Sequence, residues 1–319
     1  MDIRLENVLE YEQPTKYIVK SENYSDDFAL PVLTAGKSFV LGFTDETDGI
    51  CKASESPVII FDDFTADCKY VDFDFKVKSS AMKILHKANT EDNLKYYFYA
   101  MQAIDYTPFS HKRVWISEYS KFKIKNRSIA EQNNIVKELD TVATAIDNAK
   151  QRLNALNELV KSRFIEMFGD PQNNNKQFPT KKLIDVVTLQ RGHDLPVQNR
   201  DSHGSVPVYG SNGVLGFHTI AKCDRGIITG RSGTIGEVYV SEEPFWPLNT
   251  TLYSNNTHGN NLIYLKYLLM FFNLKRFKSG AGVPTLNRNE FHGKEIMDVP
   301  IELQNEFADF VKLIDKSKF

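Results

Sequence analysis

The strongest constraint on this chain is that its sequence runs through one order of segments twice. "RLENVLEY" from Arg4 is answered by "KLIDVVTL" from Lys182, and "LPVLTAGKSFVLGF" from Leu30 by "VPVYGSNGVLGFH" from Val206. "NLKYYFYAM" from Asn93 is answered by "NLIYLKYLLM" from Asn261, and "QNNIVKELDTVATAID" from Gln132 by "QNEFADFVKLIDKSKF" from Gln304. The offset between copies drifts only from 178 through 176, 174 and 168 to 172, as for two related domains that differ by small loop insertions. Chance likeness between apolar strands would scatter the matches out of order. A chain of 319 residues has room for two ordinary domains and a connector.

Each copy reads as a mixed α/β domain. Short β-branched and aromatic runs, "PVIIF" from Pro57, "GIITG" from Gly226 and "GEVYV" from Gly236, are separated by Gly, Asp, Asn and Pro turns. An apolar helix follows in each copy. Its Tyr96, Tyr97, Tyr99 and Met101, or Leu265, Leu268, Leu269 and Phe272, read as core rather than as a ligand-stacking face.

Between the copies, Ile135, Leu139, Val142, Ile146, Ala149, Leu153, Leu156 and Val160 alternate in steps of four and three. That heptad stripe belongs to a helix that lies against another helix. Ser128 and Glu131 form a capping box at its start, Gly169 followed by Asp170-Pro171 stops it, and "QNNNKQ" from Gln172 reads as a polar linker. From Ser128 to Phe168 the rod is about 60 Å long at ~1.5 Å per residue. Phe307, Val311 and Ile314 repeat the register, so a second helix of the same kind starts as an antiparallel partner and is cut short at Phe319. The apolar stripe left over needs a cover: another copy of the chain, a different subunit, or helix sequence lost from this version.

Hydrophobic residues at 41% and aromatic residues at 12% exclude wholesale disorder. The most apolar run, "LIYLKYLLMFF" from Leu262, is about half a membrane span and carries Lys266, so the reading is a soluble cytoplasmic protein with no membrane partner. Cys51, Cys68 and Cys223 show no CxxC spacing and read as buried thiols rather than disulfides or zinc ligands. The net charge of −2 hides an asymmetry: residues 176–294 hold 14 Lys and Arg against 8 Asp and Glu, with five of the seven histidines, whereas residues 1–127 hold 17 against 20. Within the first copy, "HKRVWISEYSKFKIKNR" from His111 concentrates six Lys and Arg against one Glu.

Catalytic patterns find little support. "TAGKS" from Thr34 has Pro31 where a phosphate-binding loop needs glycine, and the glycines of "GRSGTIG" from Gly230 lie at three-residue intervals between two strand-like runs, unlike a dinucleotide fingerprint. No metal-ligating or hydrolase motif appears, which argues against an enzyme. The glycine-rich stretches do offer backbone N–H groups beside cations and small polar side chains. These are "YGSNG" (Tyr209 to Gly213), "KCDRG" (Lys222 to Gly226), "TGRSGT" (Thr229 to Thr234) and "KSGAGVPTLNR" (Lys278 to Arg288). Arg231 can fork onto a guanine edge, Asn212 or Asn287 can read adenine, and Lys222, Arg225, Lys278 and Arg288 can neutralise phosphates. Tyr209, Ser211, Ser232 and Thr285 complete the candidate face. Taken singly, Gly, Asn and Ser read equally as turn formers; taken as a basic, loop-rich set, they point to DNA.

With these residues in view, the chain resembles the specificity subunits of type I restriction-modification systems over nearly its whole length. The resemblance rests on "SIAEQNNIVKELDTVATAID" and "PIELQNEFADFVKLID" at the domain-to-helix junctions, on "RFIEMFGDP" at the end of the first helix, and on "PVYGSNGVLG", "GIITGRSGTIGEVYV" and "FWPLNTTLY". It implies an α+β architecture of two tandem mixed α/β target-recognition domains separated by a long coiled-coil helix. The divisions are a first recognition domain over residues 1–127, the conserved central helix over 128–169, a second recognition domain over 170–300, and the truncated start of a second conserved helix over 301–319. It also implies a non-catalytic role: each domain reads half of a bipartite target in double-stranded DNA, the helices hold methyltransferase subunits, and a motor-nuclease subunit completes the complex. S-adenosylmethionine, ATP and magnesium would be bound by those partners, leaving no cofactor on this chain. The unpaired helix face also allows self-association.

The first copy departs from the pattern, with "FDDFTADCKY" from Phe61 in place of the GRSGTIG loop. Its reading residues are therefore sought near Lys37, Lys69, Lys112 and Arg113. Half-sites in successive major grooves lie about 34–36 Å apart, a separation the rod can span. The competing reading is a coiled-coil interaction scaffold without DNA specificity, whose interface is Ile135, Leu139, Val142, Ile146, Leu153, Leu156 and Val160.

Overall fold

The computed structural model describes residues 1–36, 38–110, 112–201, 203–280 and 282–318, which divide into two units, Met1–Asn148 and Ala149–Phe319. The first contains β1 (Asp2–Arg4), β2 (Leu9–Glu12), β3 (Leu30–Leu33), β4 (Val40–Thr44), β5 (Val58–Asp62), β6 (Cys68–Val71), β7 (Lys76–Val77), β8 (Met82–Lys87), helix α1 (Leu94–Gln102), β9 (Lys123–Lys125) and the start of helix α2 (Ile129–Phe168). The second unit repeats that order. It contains β10 (Thr180–Lys182), the single turn α3 (Leu183–Val186), β11 (Thr188–Arg191), β12 (Val206–Gly210), β13 (Gly213–His218), β14 (Gly226–Gly230), β15 (Val238–Ser241), β16 (Trp246–Pro247), β17 (Thr251–Asn256) and helix α4 (Leu262–Phe271). An added hairpin, β18 (Lys278–Ser279) and β19 (Thr285–Leu286), precedes β20 (Glu295–Met297) and helix α5 (Ile301–Lys316).

The two units share one topology. An antiparallel sheet of order β2-β8-β5-β6 in the first corresponds to β11-β17-β14-β15 in the second, β4-β3-β7 corresponds to β13-β12-β16, and the β1-β9 ribbon to β10-β20. Details match as well. The inner strand of each three-stranded sheet slips register at the same place, between Val32 and Leu33 and between Val208 and Tyr209. Cys51 bridges to Phe75 as Cys223 bridges to Phe245, so two of the three thiols are equivalent packing residues. Burial raises their pKa values to about 11, which leaves them poor nucleophiles. The interior strands β5 and β14 are buried along their whole length, which fits the apolar stretches at their centres.

The repeated Gln-Asn pair turns out to be a joint. Gln132 and Gln304 are each 1% exposed. The Oε1 of each accepts from the backbone N–H of Asn93 or Asn261, both at 2.9 Å. The Nε2 donates to Asp92 Oδ1 and Arg127 O in the first unit, and to Asn260 Oδ1 and Val299 O in the second. Beside them, Asn133 and Asn305 accept from the Nδ2 groups of Asn93 and Asn261 at 2.8 Å. Those asparagines also cap α1 and α4 through Oδ1. One residue pair thus locks the start of each long helix onto the start of the preceding one, and it satisfies donors that would cost about 1–3 kcal/mol each if left buried and unpaired. The capping box forms too, with Ser128 N–H donating to Glu131 Oε2 at 2.9 Å and Glu131 N–H to Ser128 Oγ at 3.4 Å.

At its far end α2 packs into the second unit. Val160, Phe164 and Phe168 are fully buried with Phe307, Val311 and Ile314 of α5 and with α4; Phe164 stacks on Phe271 at 4.9 Å and Phe168 meets Tyr264 edge-on at 5.1 Å. Contacts from Arg163 to Glu306 and from Arg152 to Ser317 O run in opposite senses along α2 and α5, so the two pack antiparallel, as the repeated register predicts. Beyond Val160 the buried residues step by four only, because the helix there meets a globular core rather than a single partner helix. Gly169 ends α2 at φ +75°.

The segment read as a polar linker is a docked turn. Asn175 Oδ1 accepts from Asp170 N–H, the Asn174 side chain bonds both N–H and C=O of Phe178, and Gln172 bonds Phe271 O and Arg276. Polar composition here reflects side chains that satisfy backbone groups locally.

Candidate nucleic-acid interface

The arginine of "GRSGTIG" sits directly after β14. Its N–H donates to Thr250 O at 2.8 Å and its carbonyl accepts from Leu286 N–H at 2.7 Å; Ser232 bridges to Thr285, and Gly233 N–H donates to Pro284 O at 3.0 Å. The backbone therefore binds together two turns separated by more than fifty residues. Glycine is needed at Gly230, where a Cβ would stand 1.7 Å from Thr234 O, and at Gly233, whose φ is +92°. The Ser211 side chain lies against both glycines, which brings the β12–β13 turn to the same place.

A cleft of about 340 Å³ opens there, lined by Arg191, Arg231, Thr285, Asn287, Arg288 and Asn289 among others. Arg231 Nε donates to Asn249 O at 2.8 Å, which orients the guanidinium and leaves its Nη groups to the cleft. Asn287 caps the short turn after it through Oδ1, accepting from Asn289 N–H at 3.1 Å. Arg191 is held by Asp194 at 3.7 Å. Among the described residues, neither Arg231 nor Arg288 takes part in an ion pair. Lys278 flanks the group on the paired hairpin, opposite Leu286.

Of the residues singled out from the sequence, the structure thus gathers Ser211, Arg231, Ser232, Lys278, Thr285, Asn287 and Arg288. Asn212 is exposed on the adjoining turn. Lys222 and Arg225 precede β14 while Arg231 follows it, so the strand holds Arg225 and Arg231 roughly 20 Å apart; Lys222 lies over the Trp246 ring at 5.1 Å. The ring of Tyr209 packs edge-on against Phe245 at 5.7 Å, and its bulk serves the core. Arg191 and Asn289 went unnoticed in the sequence because only the strand pairing brings them to the cleft; the charge count was the sole signal.

The equivalent place in the first unit is closed. Asp63 occupies the position of Arg231, donating to Ala81 O at 3.3 Å and accepting from Val114 N–H at 3.0 Å. Its Oδ1 accepts from the N–H groups of Val114 and Trp115 at 3.1 and 2.9 Å, and its Oδ2 lies 3.3 Å from Lys83 Nζ, the side chains being 1% and 2% exposed. Trp115, aligned with Asn287, fills the space and meets Phe61 edge-on at 5.0 Å. Lys69 on β6 points over Phe39 at 5.9 Å, Lys112 and Arg113 are exposed, and Lys37 lies outside the described residues.

On α2 the stripe divides. Ile135 packs in the first unit and Leu156 and Val160 in the second, whereas Leu139, Val142, Ile146 and Leu153 are 38 to 54% exposed. In the first unit, Ile135 and Leu139 border an open cleft of about 400 Å³ with Tyr96, Tyr99, Ala103 and Ile104. Asp140, despite partial burial, is held below the usual carboxylate range by hydrogen bonds from Tyr99 and Lys95. Among the described residues there is no His, Cys, Asp and Glu grouping suited to a metal ion, and no helix is long and apolar enough to cross a membrane.

A family model described as the type I restriction modification DNA specificity domain matches residues 175–319. The specificity subunit of the type I restriction enzyme EcoR124I/EcoR124II of Escherichia coli is 50% identical over 148 residues, covering 43% of this chain and 36% of that protein. The match therefore spans little more than a third of that relative's length. Among solved structures, the S subunit of a type I restriction-modification system from M. genitalium superposes with a TM-score of 0.67 at 15% identity, over 100% of this chain and 90% of that one. A chain from a structure described as the basis of complex assembly and conformational transition of the type I R-M system gives 0.50 at 13% identity, over 100% and 90%. Those structures speak to the fold, and the matched sequence speaks to the domain it carries. Residues 175–319 thus match the type I restriction modification DNA specificity domain, and the chain as a whole shares the fold of a solved S subunit.

Proposed function

We propose that this chain reads DNA for a type I restriction-modification complex, each unit recognising one short segment of a two-part duplex target. In this reading the domains are residues 1–127 and 170–300, the helix over 128–169 sets the gap between the segments, and residues 301–319 belong to its partner helix. The chain itself is non-catalytic; methylation and cleavage belong to methyltransferase and motor-nuclease subunits, which dock on the helices. The carrying observation is the cleft of the second unit, where Arg231, unpaired with any carboxylate among the described residues, stands beside Arg288, Asn287, Thr285 and Ser211. An oriented guanidinium among amide and hydroxyl groups suits a guanine edge, and the flanking Arg288 and Lys278 suit phosphates.

Gel shifts across a salt series, combined with selection from random-sequence duplexes, test it. The expected results are a bipartite consensus and an affinity that falls steeply with salt as counterions are released. Arg231→Ala should change one half of the consensus. Absence of any sequence preference, even with a methyltransferase subunit added, would overturn the proposal.

The exposed row Leu139, Val142, Ile146 and Leu153 supports a second role for α2 as a helix-docking face, for another subunit or a second copy. Light scattering with and without duplex DNA separates this from the scaffold alternative: a pure scaffold would associate without responding to DNA.

A further inference from the structure

Superimposing the hydrogen bonds of the two units assigns every residue around the cleft a counterpart. Asp63 and Arg231 bond backbone groups in the same way, which pairs Ala81 with Thr250 and Val114 with Leu286. One residue earlier on each segment, Ser80 then corresponds to Asn249 and Arg113 to Thr285. In the second unit the carbonyl of Asn249 accepts from Arg231 Nε at 2.8 Å. In the first, the carbonyl of Ser80 accepts from Arg113 Nη2 at 3.2 Å. The same carbonyl holds a guanidinium in both units, although the arginine arrives from a different segment.

We infer that Arg113 is the base-reading residue of the first unit, the counterpart of Arg231 with its attachment point moved across the cleft. The inference rests on the DNA-reading function proposed above. Three features support it. Asp63, which holds the sequence position of Arg231, is turned inward onto Lys83 and withdrawn from any ligand. Its Oδ1 instead grips the N–H groups of Val114 and Trp115, the two residues after Arg113, and so sets the backbone from which that arginine projects. The guanidinium also lies over the Phe64 ring at 5.9 Å, which restricts its rotation on the exposed side. Among the described residues a single donor of five is spent, on Ser80, which leaves the planar fork for a guanine edge. Lys112 beside it is exposed and supplies a point charge for the neighbouring phosphate.

The test is selection from duplexes with a randomised central region, using the full chain as wild type, Arg113→Ala, Arg113→Lys and Arg231→Ala. Arg113→Ala should lose discrimination at a position in one half of the consensus by roughly 5- to 150-fold, the range of one bidentate arginine–guanine contact. Arg231→Ala should act on the other half only. Arg113→Lys should keep overall affinity but still lose the base preference, since an ammonium cannot fork. Matching thermal melts among the variants exclude a folding effect. A bipartite wild-type consensus that Arg113→Ala leaves intact overturns this assignment while the DNA-reading function stands; a wild type with no consensus overturns both.

Discussion

At one point of one shared topology, the second unit leaves an arginine facing an open cleft, and the first buries an aspartate against a lysine and closes the space with tryptophan. The backbone bonds around that point are the same in both: a turn residue donating to the strand beside it and accepting from the segment that follows fifty residues later. The difference lies in the side chains and in the hairpin β18–β19 that only the second unit carries. A frame held by main-chain pairing tolerates opposite charges at the same position, provided each is satisfied, and this is how duplicated domains can come to read different sequences without refolding.

Removing the buried partner in the first unit should have the largest effect. Asp63→Ala leaves Lys83 uncompensated and the Trp115 N–H open, an expected loss of about 3–5 kcal/mol by urea denaturation. Asp63→Ala combined with Lys83→Met should recover most of it; a single variant as stable as wild type would mean the closed site is not held by this pair. Next, the Gln joints should behave alike in both units. Gln132→Ala and Gln304→Ala are each expected to lose about 1–3 kcal/mol, with faster amide exchange at Asn93 or Asn261, and a large effect in only one unit would break the equivalence.

Lys112→Ala sharpens the contrast with Arg113. It should lower the slope of log affinity against log salt by about one and leave the selected consensus unchanged. The smallest expected effect concerns sensitivity to mild acid in the histidine range, for which His292 of the second unit is the source. His292 Nε2 accepts from Leu189 N–H at 3.2 Å, so its imidazole must be neutral there, and burial followed by the charge of Arg288 holds its pKa below the ordinary 6.5. Because the unfolded chain takes up that proton more readily, this stability is complete above pH 6.5 and is lost as pH falls through the lowered value. Melting at pH 5.5 against pH 7.5 should show the difference in wild type and not in His292→Gln; Ser120 holds the equivalent position in the first unit.

Much of the architecture was legible in the residues. The fourfold and threefold steps from Ile135 to Val160, the Ser128 and Glu131 box and the stop at Gly169 all act within a few residues, so spacing alone reveals them. The paired Gln-Asn signal was visible as a repeat, but its meaning as a joint depends on the amide of Asn93 lying beside the helix start. The docked turn after Gly169 was misread as a linker because its polar side chains bond their own backbone. Lys222 and Arg225 were grouped with Arg231 on charge, and the length of β14 separates them.

The amino-acid order by itself determined that there are two related units, that a long amphipathic helix lies between them, and that cations gather on glycine-rich turns, because periodicity, capping and turn chemistry are local properties. Only the tertiary structure decided which turns meet: that Arg231 shares a cleft with Thr285, Asn287 and Arg288, that Asp63 faces inward, and that Arg113 reaches the carbonyl another arginine holds in the sister unit. Those outcomes depend on strand pairing between distant segments, whose register no single stretch of sequence contains.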